Sequence, residues 1–148
     1  MEHWKRAQAQ EEGGRFALWE EGGRFPKSSM RALEAAKGVE AQGEDFFIRY
    51  HFALLKALFE KNLDISDPQV LLDLAASVGA DCDCLSEGLK AGSHRHLVWA
   101  EHDQAVKQFG IHSVPTVVFG GKRLVVGAVP REVYQSAIDD LLAEARET

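Results

Sequence analysis

The residues best suited to chemistry in this chain are its two cysteines, which stand two positions apart in Asp81-Cys82-Asp83-Cys84. Asp81 is predicted to be the N-cap of a helix, so both thiols would lie in its first turn. The helix dipole favours thiolate there, whereas the neighbouring carboxylates oppose it. Residues two apart on a helix point to different sides, so a Cys82–Cys84 disulfide would require this turn to unwind. Cys82 and Cys84 are therefore candidate catalytic residues, with incidental surface thiols as the alternative.

Histidines form a second group of candidates. His94-Arg95-His96 follows the cysteines within a dozen residues, so a Cys-x-Cys and His-x-His zinc site can be drawn. The spacing matches no established zinc ribbon or finger, and the two histidines diverge if helical. We therefore predict no metal and no cofactor. His51, in Tyr50-His51-Phe52, is expected at the edge of an apolar helix face rather than as a general base.

A proline-led hairpin is the third feature with functional potential. Apolar, mostly β-branched residues run from Thr116 to Phe119 and from Leu124 to Val126, and Gly120-Gly121 supplies the turn. Pro115 can only open such a strand, because it has no N–H for the ladder. Strands that are apolar at nearly every position are typical of a sheet covered on both faces. No Ser-His-Asp arrangement, phosphate loop or Rossmann glycine motif competes with this feature.

Helical periodicity fills the chain before the hairpin and after it. The predicted order is five helices, two strands and one helix. The helices are expected over residues 28–42, 44–61, 67–79, 81–92, 93–110 and from 130 to the end, with capping signals such as Asp67-Pro68 and Gly79. Phe47, Tyr50, Leu54 and Leu58 form the core stripe of the second helix.

Composition limits the classes of function. The 148 residues suggest one domain, and a net charge of −6 argues against a nucleic-acid surface, because phosphate binding needs clustered Lys and Arg. The polar start Met1–Arg6 predicts neither a signal peptide nor a membrane span, so a cytoplasmic location is expected, with both thiols reduced at rest. Residues 1–25 read as a polar leader, in which Glu11–Phe16 recurs as Glu20–Phe25 around a short Ala17-Leu18-Trp19 contact.

The order of these pieces resembles the DsbA-like thioredoxin-fold family, most closely its FrnE-type and 2-hydroxychromene-2-carboxylate isomerase-like branch. The resemblance spans roughly residues 17 to 145. It is carried by Phe25-Pro26-Lys27-Ser28-Ser29, Tyr50-His51, Asp64-Ile65-Ser66-Asp67, Gly79-Ala80-Asp81, Val114-Pro115-Thr116 and Gly127-Ala128-Val129-Pro130.

The resemblance implies an α/β fold of the thioredoxin type. Residues 26–148 would form a DsbA-like domain, with a helical insertion subdomain over 26–110 and a terminal ββα unit over 111–148. In the family the proline that opens the hairpin is cis, and the backbone of the preceding residue pairs with extended substrate. Val114, Pro115 and Thr116 are thereby implied to form a substrate-binding loop, whose partners would be protein or peptide thiols and disulfides.

Family members begin with a strand, a Cys-x-x-Cys motif opening a helix, and a second strand. No Cys-x-x-Cys occurs in this sequence, and residues 1–25 are expected to be too short and polar to supply these elements, which leaves the sheet incomplete. The implied activity is thiol–disulfide exchange, weak or absent in this chain alone. One alternative is a non-catalytic protein-binding or self-associating module, a homo-oligomer formed through the unpaired sheet edge. Another is a glutathione-dependent isomerase-like protein.

Overall fold

The computed structural model describes residues 17–19 and 24–146. Two compact units divide between Ala100 and Glu101, inside the fifth helix, whereas the predicted subdomain boundary lies at residue 110. Most of the predicted leader and its repeat lies outside the described residues. The elements in chain order are α1 (Met30–Glu40), α2 (Glu44–Phe59), α3 (Pro68–Val78), α4 (Cys82–Ala91), α5 (Arg95–Phe109), β1 (Thr116–Phe119), β2 (Arg123–Val126) and α6 (Arg131–Arg146).

Local capping signals determine where the helices of the first unit begin and end. The Ser28 hydroxyl accepts a hydrogen bond from the Met30 N–H at 3.1 Å, at the start of α1. Asp67 accepts from the Gln69 N–H at 2.9 Å and caps α3, which ends at Gly79 in the left-handed conformation (φ 82°). The predicted caps of α3 are confirmed. Helix α5 begins at Arg95, two residues after the start of the range predicted for it.

An apolar core lies between helices α1 to α4. Its largest fully buried apolar side chains are Val39, Tyr50, Leu71 and Leu85. The Tyr50 hydroxyl donates to the Leu71 carbonyl at 3.1 Å, so its only polar atom is satisfied inside the core. Phe47 and Leu58 of the predicted stripe are half-buried. The predicted Ala17-Leu18-Trp19 contact is present, because Trp19 is buried and the Ala17 N–H donates to the Phe59 carbonyl at 2.7 Å.

One buried charge joins α1 to α5. Glu34 is 2% exposed, and its carboxylate accepts a hydrogen bond from Arg95 Nε at 2.8 Å. A carboxylate removed from water needs such a partner, because an unpaired buried charge is strongly destabilising. Both residues lie in the first unit.

The second unit contains the rest of α5 from Glu101 onward, the hairpin and α6. Strands β1 and β2 pair antiparallel, with Thr116 opposite Val126, and α6 contacts one face of this pair. The Tyr134 hydroxyl donates to the Gly127 carbonyl at 3.1 Å. Within residues 101–146 the sheet has two strands, and Leu124 and Val126 are exposed. The expected covering of both faces is therefore not found in the described part of the chain.

Across residues 17–19 and 24–146, none of the helices combines the length and the apolar character needed to cross a bilayer.

Candidate functional site

The start of α4 holds both cysteines in a defined turn. Asp81 accepts a hydrogen bond from the Cys84 N–H at 2.9 Å, which confirms the predicted N-cap. The Gln42 side chain fixes Asp81 in turn, because its amide donates to the Asp81 carbonyl at 3.1 Å and its oxygen accepts from the Asp81 N–H at 2.7 Å. The contact of Gln42 with Asp81 was not predicted, because no local sequence pattern links two residues 39 positions apart. Hydrogen bonds made by the Asp81 and Gln42 side chains thus fix the first turn of α4.

The two thiols occupy different environments. Cys82 is half-buried, and its sulfur lies 3.6 Å from the Leu72 carbonyl oxygen and 3.7 Å from that of Ala80. Cys84 is exposed, and neither cysteine is in a disulfide. The Cys82 thiol therefore donates inward while Cys84 faces solvent, as residues two apart on a helix must. The arrangement offers one accessible thiol rather than an adjacent dithiol pair.

The histidines lie in different surroundings, and both His51 and His96 are exposed. His94 is half-buried against two glycines: a Cβ added to Gly88 would stand 3.2 Å from its ring, and one added to Gly38 would stand 3.4 Å away. His51 is exposed and its ring centroid lies 5.9 Å from that of Phe47. Among the residues that the structure describes, no group of three or more His, Cys, Asp or Glu side chains is placed to hold a metal.

The loop before β1 is anchored on both sides of Val114. The Val114–Pro115 peptide bond is cis. On one side, the Thr116 hydroxyl donates to the Ser113 carbonyl at 2.7 Å; on the other, the Gly127 N–H donates to the Pro115 carbonyl at 2.8 Å. Val114 itself is 90% exposed. The second unit therefore presents one apolar side chain on a fixed loop.

Val114 also has unused backbone groups. Within residues 24–146, neither its N–H nor its carbonyl makes a hydrogen bond, although the residues on either side of it do. A paired N–H and C=O facing solvent can bind the backbone of an extended chain, as the exposed edge of a sheet does. The geometry therefore suits recognition of a polypeptide segment.

A groove of about 520 Å³ lies beside this loop. Its apolar floor forms because α5 ends at Gly110 (φ 63°), where the Gly110 N–H donates to the Val106 carbonyl and the Ile111 N–H to the Ala105 carbonyl. These two hydrogen bonds fold the chain back over the last turn of α5, as is common where a helix ends at a glycine in the left-handed conformation. Ala105, Val106 and Ile111 line the groove together with Val114.

Comparison with known proteins places these features in a family. A family model described as DSBA-like thioredoxin domain matches residues 6–139. The uncharacterized protein YwbO of Bacillus subtilis (strain 168) is 26% identical over 91 residues, which is 62% of this chain and 45% of that relative. The chain thus matches less than half the length of this curated relative. Because the match is to the family as a whole, the FrnE-type branch stays a prediction. The chain belongs to the family of DSBA-like thioredoxin domains, and its α/β fold is that of this family.

Proposed function

We propose that this chain is a thiol–disulfide oxidoreductase-like protein that binds extended polypeptide segments at Ser113–Thr116. Its own two cysteines would support only weak thiol exchange. The observation that carries this proposal is Val114, which combines a 90% exposed apolar side chain with an unused backbone N–H and carbonyl in the described chain. Family membership supports the substrate class, which would be protein or peptide thiols and disulfides.

Binding would use main-chain and side-chain contacts together. An extended segment that pairs with Val114 would satisfy the N–H and carbonyl of Val114 and one N–H and one carbonyl of its own. These main-chain hydrogen bonds give affinity that depends little on the sequence of the segment. The hydrogen bonds at Ser113 and Pro115 hold the loop before the segment arrives, so less conformational entropy is lost on binding. The apolar groove lined by Val106 and Ile111 would accept a side chain of the same segment.

Thiol chemistry would be limited by the placement of the two sulfurs. In dithiol exchange one thiolate attacks a substrate disulfide, releases one substrate thiolate and leaves a mixed disulfide, which a second thiol then attacks. Cys84 is exposed and can make the first attack. Cys82 donates toward the Leu72 carbonyl, so it can resolve the mixed disulfide only if the first turn of α4 unwinds.

Binding is tested by measuring the affinity for an unfolded, alkylated polypeptide by fluorescence anisotropy. We expect Val114→Asp to weaken binding roughly tenfold, because a buried contact of about 1.4 kcal/mol is lost. Leu124→Asp is the matched control, since Leu124 is an exposed apolar residue of the same hairpin. Equal affinity of wild type and Val114→Asp would contradict the proposed site.

The thiol part is tested separately by the catalysed reduction of insulin disulfides with dithiothreitol as the reductant, which can also resolve the mixed disulfide. We expect Cys84→Ser to abolish the slow activity of the wild type, and Cys82→Ser to retain most of it, because Cys84 is exposed whereas Cys82 is half-buried and donates to the Leu72 carbonyl. An equal loss of activity in both variants would instead indicate a functional dithiol pair.

Self-association through the hairpin is a second candidate function. Each strand of the two-stranded sheet has one edge without a paired strand in the described chain, and Leu124 and Val126 are exposed beside it. Such an edge is a template for pairing with another chain. Sedimentation that detects a concentration-dependent dimer in the wild type, lost in Val126→Lys, would support this candidate. A dimer that persists unchanged in Val126→Lys would count against it.

A further inference from the structure

Helix α2 carries apolar side chains on two opposite sides. Tyr50 and Leu54 on one side are buried in the core of the first unit. On the other side Ile48 is 47% exposed, Phe52 is 58% exposed and Leu55 is 39% exposed. Their spacing of four and then three residues places them in one stripe along the helix. A contiguous apolar stripe of this kind on a folded surface indicates an interaction site.

The central aromatic of this stripe is held in place by a neighbour. The His51 ring lies 6.0 Å from the Phe52 ring in an edge-to-face arrangement and 5.9 Å from the Phe47 ring. Ring contacts on the helix surface reduce the number of orientations that Phe52 samples.

Charges of opposite sign lie at the two ends of the same stripe. Asp45 is in the first turn of α2 and Lys56 is in the last. About three full helical turns separate them, so both lie on the same flank of the helix. Both are exposed, and neither side chain forms an ion pair with another residue in the described ranges.

We propose that Ile48, Phe52 and Leu55 form the interface of a homodimer in which α2 packs antiparallel against α2 of a second copy. Antiparallel packing brings like flanks of the two helices together, so Asp45 of each copy lies opposite Lys56 of the other. The two ion pairs are related by the two-fold axis, as a self-complementary interface requires. Parallel packing would instead leave these charges about three turns apart.

The same register suits the apolar residues. With Asp45 opposite Lys56, the two-fold axis passes between Tyr50 and His51 of each copy. Ile48 of one copy then lies beside Phe52 of the other, and the stripes interdigitate. The charge pattern and the apolar pattern are therefore both compatible with antiparallel packing. This surface belongs to the first unit, whereas the hairpin and the Val114 loop belong to the second.

Sedimentation velocity at micromolar concentrations tests this interface. We expect a reversible dimer in the wild type and at least ~100-fold weaker association in Phe52→Asp, because the variant places two like charges beside the axis. Leu33→Asp is the matched control, since Leu33 is an exposed apolar residue of the same unit, with the same exposed fraction as Ile48 (47%), and it should dimerise normally. Val126→Asp should also dimerise, which separates this interface from association through the hairpin. A monomer at every concentration, or a dimer unchanged in Phe52→Asp, would overturn the proposal.

A charge exchange tests the register with residues that are exposed and do not contribute to the core. Lys56→Glu alone should weaken dimerisation roughly tenfold, because it places two carboxylates opposite each other at both symmetry-related sites. Adding Asp45→Lys to the same protein should restore the affinity to within ~3-fold of wild type. A double variant as weak as Lys56→Glu would overturn the antiparallel arrangement. Circular dichroism of each variant establishes that the helices remain folded.

Discussion

At the scale of single residues, Tyr50 shows how the core accommodates a polar atom. Its ring is fully buried and its hydroxyl donates to the Leu71 carbonyl at 3.1 Å. We expect Tyr50→Phe to lower the free energy of unfolding by about 1 kcal/mol, because one buried hydrogen bond is lost while the ring remains. Urea unfolding measures this change. Tyr134→Phe is the matched control, since that hydroxyl also donates to a carbonyl but is only half-buried.

The same tyrosine predicts a pH dependence. Burial, with a smaller contribution from the nearby Cys82, raises the pKa of Tyr50 well above its usual value. The folded state therefore keeps a proton that the unfolded chain releases above pH ~10, so this contribution to stability is complete below pH ~10 and is lost as the pH rises further. The difference in stability between wild type and Tyr50→Phe should shrink there by up to ~1.4 kcal/mol per pH unit. A difference that stays constant between pH ~8 and ~11 would contradict this explanation.

At the scale of elements, the N-cap of α4 sets the position of both thiols. Asp81 accepts from the Cys84 N–H, so Asp81→Ala should destabilise the protein by about 1 kcal/mol and loosen the turn that carries Cys84. Asp83→Ala is the control, because Asp83 is in the same turn but is not the capping residue. Thermal unfolding measures the first effect, and the rate of Cys84 alkylation measures the second. Equal effects of the two substitutions would exclude a specific role for the cap.

Helices whose ends are set by neighbouring residues were predictable from the sequence. The contacts between distant residues, and which helix faces are exposed, were not. The caps at Asp67 and Asp81 depend on neighbours within three residues, so the pattern located α3 and α4 closely. Helix α2 is apolar on both sides, so periodicity predicted its core stripe but gave no sign that Phe52 faces solvent. The Glu34–Arg95 pair joins residues 61 positions apart and leaves no local trace.

The candidate site was predictable only in part. The spacing of Cys82 and Cys84 on a helix correctly indicated that they face different sides, because that follows from helix geometry alone. The Val114 loop was identified through its resemblance to the family. Its anchors, the Ser113 and Gly127 backbone groups, arise from turns on both sides of the loop that the hydrophobic pattern does not encode. The groove likewise depends on how the chain reverses at Gly110.

At the scale of the whole molecule, the two units differ in how much they bury. The apolar core cluster lies entirely in the first unit, whereas Ala137 is the buried apolar residue among residues 101–146. Local opening should therefore require less free energy in the second unit. We expect native-state hydrogen exchange at least ~10-fold faster for β1 and β2 amides than for α2 and α3 amides. Equal protection of both units would indicate one cooperative structure instead.

The central claim is that Val114 and its neighbours bind extended polypeptides, and residue-resolved NMR tests it most directly. The ¹⁵N-labelled chain is titrated with an unfolded polypeptide containing a disulfide, and amide shifts are followed along the sequence. We expect the largest changes at Val114 and Thr116, with smaller changes at Val106 and Ile111 along the groove. Saturable binding that leaves the amides of Ser113, Val114 and Thr116 unperturbed, or no binding at all, would contradict this site.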